Sequence, residues 1–374
     1  MQFNEVIGQQ AIKKRLTDGV HENRVSHAQL FSGSEGSGKL AMAIAYAQFV
    51  NCKNRTETDS CGECPSCKKY QKLIHPDLHF VFPVVKSPKF KDPVSDNYLD
   101  KWRIQVLKSP YFNLNMWNKC IDVENAQAQI YVNESSEIIR KLNLKTFEAE
   151  YKVMIIWMVE RMNAQCANKL LKMIEEPPPK TLFILITENE EQIITTIRSR
   201  TQLVKFAGID SASISEALRP LADAAGKNLP GLVHQANGNY IEALNLISPD
   251  DQKSMFFDQF TNIMRTSYKR DWDALFSWVD EVSGLGREQQ KSFLQYSLRM
   301  LRENFILNLK QPKLVYLSEE EKGFSDRFSP FINERNILVF SEEFEKAFRD
   351  ISSNGNPRII FLDLSLKITK MIRA

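Results

Sequence analysis

No apolar run in this 374-residue sequence is long enough to cross a membrane. The longest, 153–159 and 182–186, fall far short of the roughly 20 residues a spanning helix needs. The first residues, Met1-Gln2-Phe3-Asn4-Glu5, lack the basic-then-apolar pattern of a secretory leader, so a cytoplasmic setting with no membrane contact is expected. An excess of one charge is missing too: 49 Lys and Arg against 46 Asp and Glu leave a net charge of +3. That excludes capture of an acidic partner by the bulk field and leaves only local patches. Cysteine is sparse, six in all, too few for a disulfide-stapled fold. The remainder, 43% hydrophobic and 25% charged, is ordinary for a soluble globular protein, and the length allows two or three domains.

A single missing oxygen says more than the composition. The stretch Phe31-Ser32-Gly33-Ser34-Glu35-Gly36-Ser37-Gly38-Lys39-Leu40 reads G-x-x-x-x-G-K-L. In a phosphate-binding loop the glycines let backbone N–H groups curl around phosphate oxygens, and the lysine reaches the terminal phosphates. The next residue should be Ser or Thr, whose hydroxyl ligates Mg²⁺; Leu40 offers none. Gly33, Gly36, Gly38 and Lys39 are therefore a degenerate loop with weak nucleotide binding or none. The context supports the motif: a short strand ends at Phe31, and 40–50 is an apolar, Ala-rich helix pattern. A helix-capping turn without a ligand is the plainer alternative.

A second absence matches the first. In an ATPase of this architecture a later strand ends in Asp-Glu, for the metal and the attacking water. Here Lys152-Val153-Met154-Ile155-Ile156 runs into Trp157 and Met158, which cannot ligate a hard cation and read as packing residues. Glu160, two residues beyond the place of the base, is not expected to substitute easily.

Four of the cysteines cluster. Cys52, Cys61, Cys64 and Cys67 are spaced C-x8-C-x2-C-x2-C, a pattern that holds four thiolates around one structural Zn²⁺ with no open position. Four free thiols in a loop are the alternative. Cys120 and Cys166 read as packing.

Residues 83–126 are broken by prolines and carry seven basic against five acidic residues among six aromatics. Stacking of single-stranded nucleic acid is one reading; an inserted subdomain whose aromatics form their own core is favoured. Helix is expected over 11–20, 135–144, 163–176 and 193–200, buried strands over 151–159 and 181–187, and a last strand over 202–206. Strands alternating with helices give an α/β fold with a parallel sheet covered on both faces. Residues 208–248 are helical with turns at Gly226, Pro230 and Gly238, and Pro249-Asp250 reads as a boundary. Apolar stripes at Phe256, Phe257, Phe260 and Ile263, at Phe293, Leu294, Leu298 and Leu301, and at Phe361, Leu362, Leu364 and Ile368 make 251–374 an all-α bundle. Arg200, in Ile197-Arg198-Ser199-Arg200-Thr201, reads from its surroundings as a surface arginine paired with a carboxylate.

These residues together resemble the delta-prime family of bacterial clamp-loader subunits, which are AAA+ proteins. The likeness rests on Ile7-Gly8-Gln9, His27-Ala28-Gln29-Leu30-Phe31, the 33–39 loop and the four cysteines. Further along it rests on Tyr151-Lys152-Val153, Met162-Asn163, Asn168-Lys169-Leu170-Leu171-Lys172, Glu175-Glu176-Pro177-Pro178, Leu182-Phe183-Ile184-Leu185, Thr187-Glu188-Asn189 and Thr196-Ile197-Arg198-Ser199-Arg200. It covers most of 1–248; residues 83–126 look inserted. The resemblance implies an AAA+ domain over 1–207 with a zinc module at about 52–67, a helical lid over 208–248 and a helical collar over 251–374. It implies zinc on the four cysteines and, reversing the reading above, a trans-acting arginine finger at Arg200. The implied partners are delta and tau/gamma-type ATPase subunits in a hetero-pentamer, part of DNA polymerase III, with the sliding clamp and primer-template DNA reached indirectly. In active relatives the lid supplies an arginine after Gly-Ser-Leu; here Gly238-Asn239-Tyr240 is followed by Ile241, so the lid brings no positive charge to a phosphate. Two other readings stay open: an active AAA+ motor recruiting Glu160, and a zinc-containing nucleic-acid-binding protein.

Overall fold

The computed structural model describes residues 1–88, 90–123, 127–225, 229–247, 251–311, 314–315 and 317–373. The expected turn at Gly226 and the expected boundary at Pro249-Asp250 lie outside them. Internal contacts divide the chain into Met1–Ile247 and Ser248–Ala374.

The first unit is built on five strands: β1 (Ala28–Gly33), β2 (Leu78–Val81), β3 (Lys152–Trp157), β4 (Thr181–Thr187) and β5 (Gln202–Phe206). All pairs are parallel, in the order β2-β3-β4-β1-β5. Every residue of β3 and β4 is buried, as expected where helices cover both faces of a parallel sheet. Leu30, Met154 and Phe183 pack into one apolar layer, whereas Phe31, Ile155 and Ile184 pack into the other; successive strand side chains alternate between faces. β1 lies between β4 and β5, with Ser32 opposite both Thr187 and Lys205. The segments leaving β1 and β4 therefore emerge side by side at the carboxyl edge, where open α/β sheets place their ligands.

The helices are α1 (Gln10–His21), α2 (Lys39–Val50), α3 (Pro65–Gln71), α4 (Leu99–Lys108), α5 (Leu114–Cys120), α6 (Val132–Asn143), α7 (Ala164–Glu175) and α8 (Thr195–Arg198). Three more follow the last strand: α9 (Ser211–Ala225), α10 (Leu229–Ala236) and α11 (Tyr240–Ile247). All 12 residues of α2 are buried, which suits a helix apolar on every side.

Two features depart from expectation. β2 was not anticipated. The aromatics of 83–126 do not form a core of their own. Trp102 stacks on Phe82 at 4.2 Å between ring centroids and lies 5.3 Å from Trp157, while Phe112 lies 5.1 Å from Trp157. β2 is one of the two edge strands of the sheet, and α4 and α5 bring their aromatics to it and to the end of β3. Trp102 and Trp117 are fully buried, so neither offers a face to a nucleobase.

The second unit is helical: α12 (Asp251–Lys269), α13 (Trp272–Ser283), α14 (Arg287–Asn308), α15 (Glu319–Phe328), α16 (Ile337–Ser352) and α17 (Pro357–Met371). Phe256, Phe260, Ile263, Phe293, Leu294, Leu301, Phe361, Leu364 and Ile368 are in its core, with Phe257, Leu298 and Leu362 packed against it. No helix among the described residues is long and apolar enough to cross a membrane.

A closed phosphate loop and a four-cysteine cluster

The 33–39 segment joins β1 to α2 in the strand-loop-helix setting that a phosphate loop requires. Gly36 and Gly38 have φ of +71° and +85°, a left-handed backbone that favours glycine. Gly33 serves a different need, since a Cβ there would stand 2.5 Å from the Phe206 carbonyl oxygen of β5.

The lysine is present but already engaged. Lys39 Nζ donates to the carbonyl oxygens of Gly33 at 2.7 Å and Ser34 at 2.5 Å, and lies 3.3 Å from Ser37 Oγ. Its side chain is buried. Burial pulls its pKa down, against the opposing pull of Glu188, Glu160 and Glu35. These three carboxylates come from three elements: the loop, the turn after β3 and the end of β4. Glu160 Oε1 accepts from the Glu188 N–H at 3.0 Å, and Glu160 Oε2 has no hydrogen-bond partner. Burial raises the pKa of Glu160 and of Glu35, and pushes Glu188 up to about 7.

The loop is also covered. Asn239 Oδ1 lies 1.8 Å from the point a Cβ on Gly36 would take, and the Tyr240 N–H donates to the Gly36 carbonyl at 3.3 Å. Tyr111 Cε1 stands 3.3 Å from the equivalent point on Gly38. The Tyr111 hydroxyl accepts from the Ile7 N–H at 2.9 Å, and its ring meets Tyr240 edge-on at 4.9 Å. Gln9 Nε2 bridges the Ser37 and Ala207 carbonyls at 3.0 and 2.7 Å. Thus the N-terminal segment, the 83–126 region and the segment before α11 all converge on one loop.

Of the expected site residues, Gly33, Gly36, Gly38 and Lys39 come together. Leu40, Trp157 and Met158 are buried packing residues, and Ile241 is buried as well. Glu160 sits in the short 3-10 turn Val159–Arg161 and acts on Lys39 through its charge. Tyr111, Asn239 and the electrostatic part of Glu188 were missed. Glu188 was recoverable: strand order 3-4-1-5 puts the residue after β4 beside the loop after β1.

Arg200 is elsewhere. Its Nε donates to Glu175 Oε2 at 3.0 Å and its Nη1 to the Thr196 carbonyl at 3.1 Å. Both side chains of the pair remain open to solvent, at 34% and 54%, where such a pair is worth roughly 0–1 kcal/mol.

The four cysteines converge. Their sulfurs all lie within 4.8 Å of one another, with Cys52–Cys61 at 3.5 Å and Cys61–Cys67 at 3.9 Å. Thiolates about 2.3 Å from a central ion, the usual zinc distance, form a tetrahedron with edges of about 3.8 Å. The donor set therefore fits a metal ion. Backbone N–H groups of Cys61, Cys64 and Cys67 point to the sulfurs of Cys52, Cys61 and Cys64 at 3.3, 3.4 and 3.5 Å, as outer partners of metal ligands do. Pro65 opens α3 directly after Cys64. The cluster is tied to the chain start through Asp59, whose carboxylate accepts from the N–H groups of Phe3 and Asn4 at 2.9 Å each.

A glycine loop between strand and helix, on a parallel sheet of this order with a small helical segment closing over it, defines a P-loop domain of the AAA+ class. The chain belongs to the family described as DNA polymerase III, delta subunit, whose model matches residues 8–210. It is 25% identical over 318 residues to the DNA polymerase III subunit delta' of Bacillus subtilis (strain 168), spanning 84% of this chain and 82% of that protein. It is 28% identical over 250 residues to the DNA polymerase III subunit tau of the same strain, spanning 66% of this chain and 37% of that protein. A solved gamma subunit-related protein from Thermotoga maritima aligns with a TM-score of 0.46 at 14% identity, over 96% of this chain and 99% of that one.

Proposed function

We propose that this chain is a clamp-loader subunit of the delta-prime kind, a non-hydrolysing member of a DNA polymerase III assembly that loads the sliding clamp onto DNA. The observation that carries the reading is Lys39. Its ammonium hydrogen bonds are spent on the chain's own carbonyls, beneath a cover of Asn239 and Tyr111. A charged hydrogen bond contributes roughly 1.5–3 kcal/mol, so freeing two of them opposes nucleotide entry by about 3–6 kcal/mol, or two to four orders of magnitude in affinity before phosphate contacts offset it. With no side-chain oxygen at position 40, 157 or 158, those contacts lack their metal. An active motor built on Glu160 is not favoured, because that carboxylate is engaged with the Glu188 N–H.

The same reading gives Arg200 its role. Its surface pair with Glu175 is weak enough to be exchanged for a phosphate held by a neighbouring ATPase subunit of the tau/gamma type. The ion on Cys52, Cys61, Cys64 and Cys67 is structural zinc. Residues 1–207 form the AAA+ body, 208–248 its lid and 251–374 a collar that holds the chain among delta and tau/gamma-type partners in a hetero-pentamer, with clamp and primer-template DNA met through that assembly.

The test is Mg²⁺-dependent ATP binding and hydrolysis by the purified chain, alone and reconstituted with candidate partners. The expected result is no turnover by the lone chain and stimulated turnover in the assembly. Robust turnover by the chain itself, abolished by Lys39→Ala, rejects the reading.

A further inference from the structure

The second unit carries a recess unrelated to the phosphate loop. Met264, Arg265, Tyr268, Phe324, Arg327, Phe328, Phe331 and Ile372 line a cavity of about 200 Å³. A second recess of about 360 Å³ shares Tyr268, Phe331 and Ile372 with it and adds Arg373. The floor is apolar and the rim is basic. Arg265, Arg327 and Arg373 are exposed, no described carboxylate pairs with any of them, and no acidic residue lines either recess.

The plain explanation of the arginines is helix polarity. α12, α15 and α17 all end near the recess, and each C-terminus carries roughly half a negative charge. Three guanidiniums outweigh about −1.5 with +3, so a positive surplus remains.

We propose that this recess binds an acidic peptide segment of a partner protein, with one bulky apolar side chain seated on the floor and carboxylates at the three arginines. The cavity has room for one Leu- or Phe-sized group, and a charged rim around an apolar centre is the usual layout of such a site. Nucleic acid is disfavoured by the rings themselves. Base stacking needs a free aromatic face. Here Arg265 lies over Phe324 at 5.8 Å, Arg373 lies over Tyr268 at 5.0 Å, and Phe324 and Phe328 stack on each other at 4.8 Å. Tyr268 also meets Phe331 edge-on at 5.1 Å.

The test uses the full chain and a panel of short fluorescein-labelled peptides rich in Asp and Glu, each with one Phe, Leu, Met or Trp. Saturable binding is expected for at least one. Replacing its apolar residue by Ala, or its acids by Asn and Gln, weakens binding by about tenfold or more, as does Arg265→Ala with Arg327→Ala in the protein. The peptide substitutions keep the test valid whatever the variant does to folding. Oligothymidylate serves as the competing ligand. The proposal is overturned if no panel member binds saturably, if the peptide substitutions leave binding unchanged, or if oligothymidylate binds through these arginines more tightly than every peptide.

Discussion

Asn239 holds the place that a side chain on Gly36 would occupy, its Oδ1 1.8 Å from the Cβ point, with the Tyr240 nitrogen 2.9 Å from it. Because backbone as well as a side chain stands there, Gly36→Ala cannot be absorbed by rotating Asn239 alone. A left-handed φ adds to the strain. Gly36→Ala is expected to cost about 1–3 kcal/mol and to loosen the packing against α11. Urea midpoints and amide exchange at Tyr240 read both effects; an unchanged midpoint with full protection contradicts the contact.

The Arg200–Glu175 pair separates stability from function. Arg200→Ala should change folding stability by no more than about 1 kcal/mol, yet lower ATP turnover of the reconstituted assembly by about 10³ or more. Arg200→Lys keeps the charge without the planar fork and should recover only part of the rate. Turnover per assembly unaffected by Arg200→Ala removes the trans role.

Metal at the four-cysteine cluster is expected at one zinc per chain. Cys67→Ser, or a strong chelator at raised temperature, should release it and lower the melting temperature, with proteolysis opening the 52–67 loop and the chain start held by Asp59. Metal analysis of freshly purified protein finding well under one zinc per chain would dispose of the assignment.

Glu188 gives a pH signature. Burial first, then the neighbouring Glu35 and Glu160 against the pull of Lys39 and Arg161, raises its pKa from 4.5 to about 7 in the folded chain. The folded state then holds a proton that the unfolded chain releases, so stability falls as pH rises from about 4.5 to about 7 and levels off above. Glu188→Gln should flatten that part of the profile, measured as urea midpoints across the range. A slope identical in the variant rules Glu188 out as its source.

The sheet was legible because its central strands are short, isoleucine-rich apolar runs: 153–156 and 182–186 bury both faces, and their length and branched residues favour strand over helix. β2 was not, since Leu78-His79-Phe80-Val81 is four residues long with a histidine in it, and an edge strand needs little sequence signal. The glycine loop, the cysteine cluster and the missing oxygens could be read residue by residue, because each depends on a fixed local spacing. Tyr111 and Asn239 could not. Their contribution lies in contacts across more than 70 and 200 positions of chain, set by how α5 and α11 pack rather than by any motif. The aromatics of 83–126 showed the same limit: their burial followed from composition, but their partner, Trp157, followed only from the strand order.

Trp157 also ties the end of β3 to the aromatics of the 83–126 region. It lies against Trp102 and Phe112, so an acidic residue there would leave a void between two large rings and strand a charge within it. Supplying a carboxylate for a metal at this position would therefore take compensating changes at Trp102 and Phe112 as well, not one substitution.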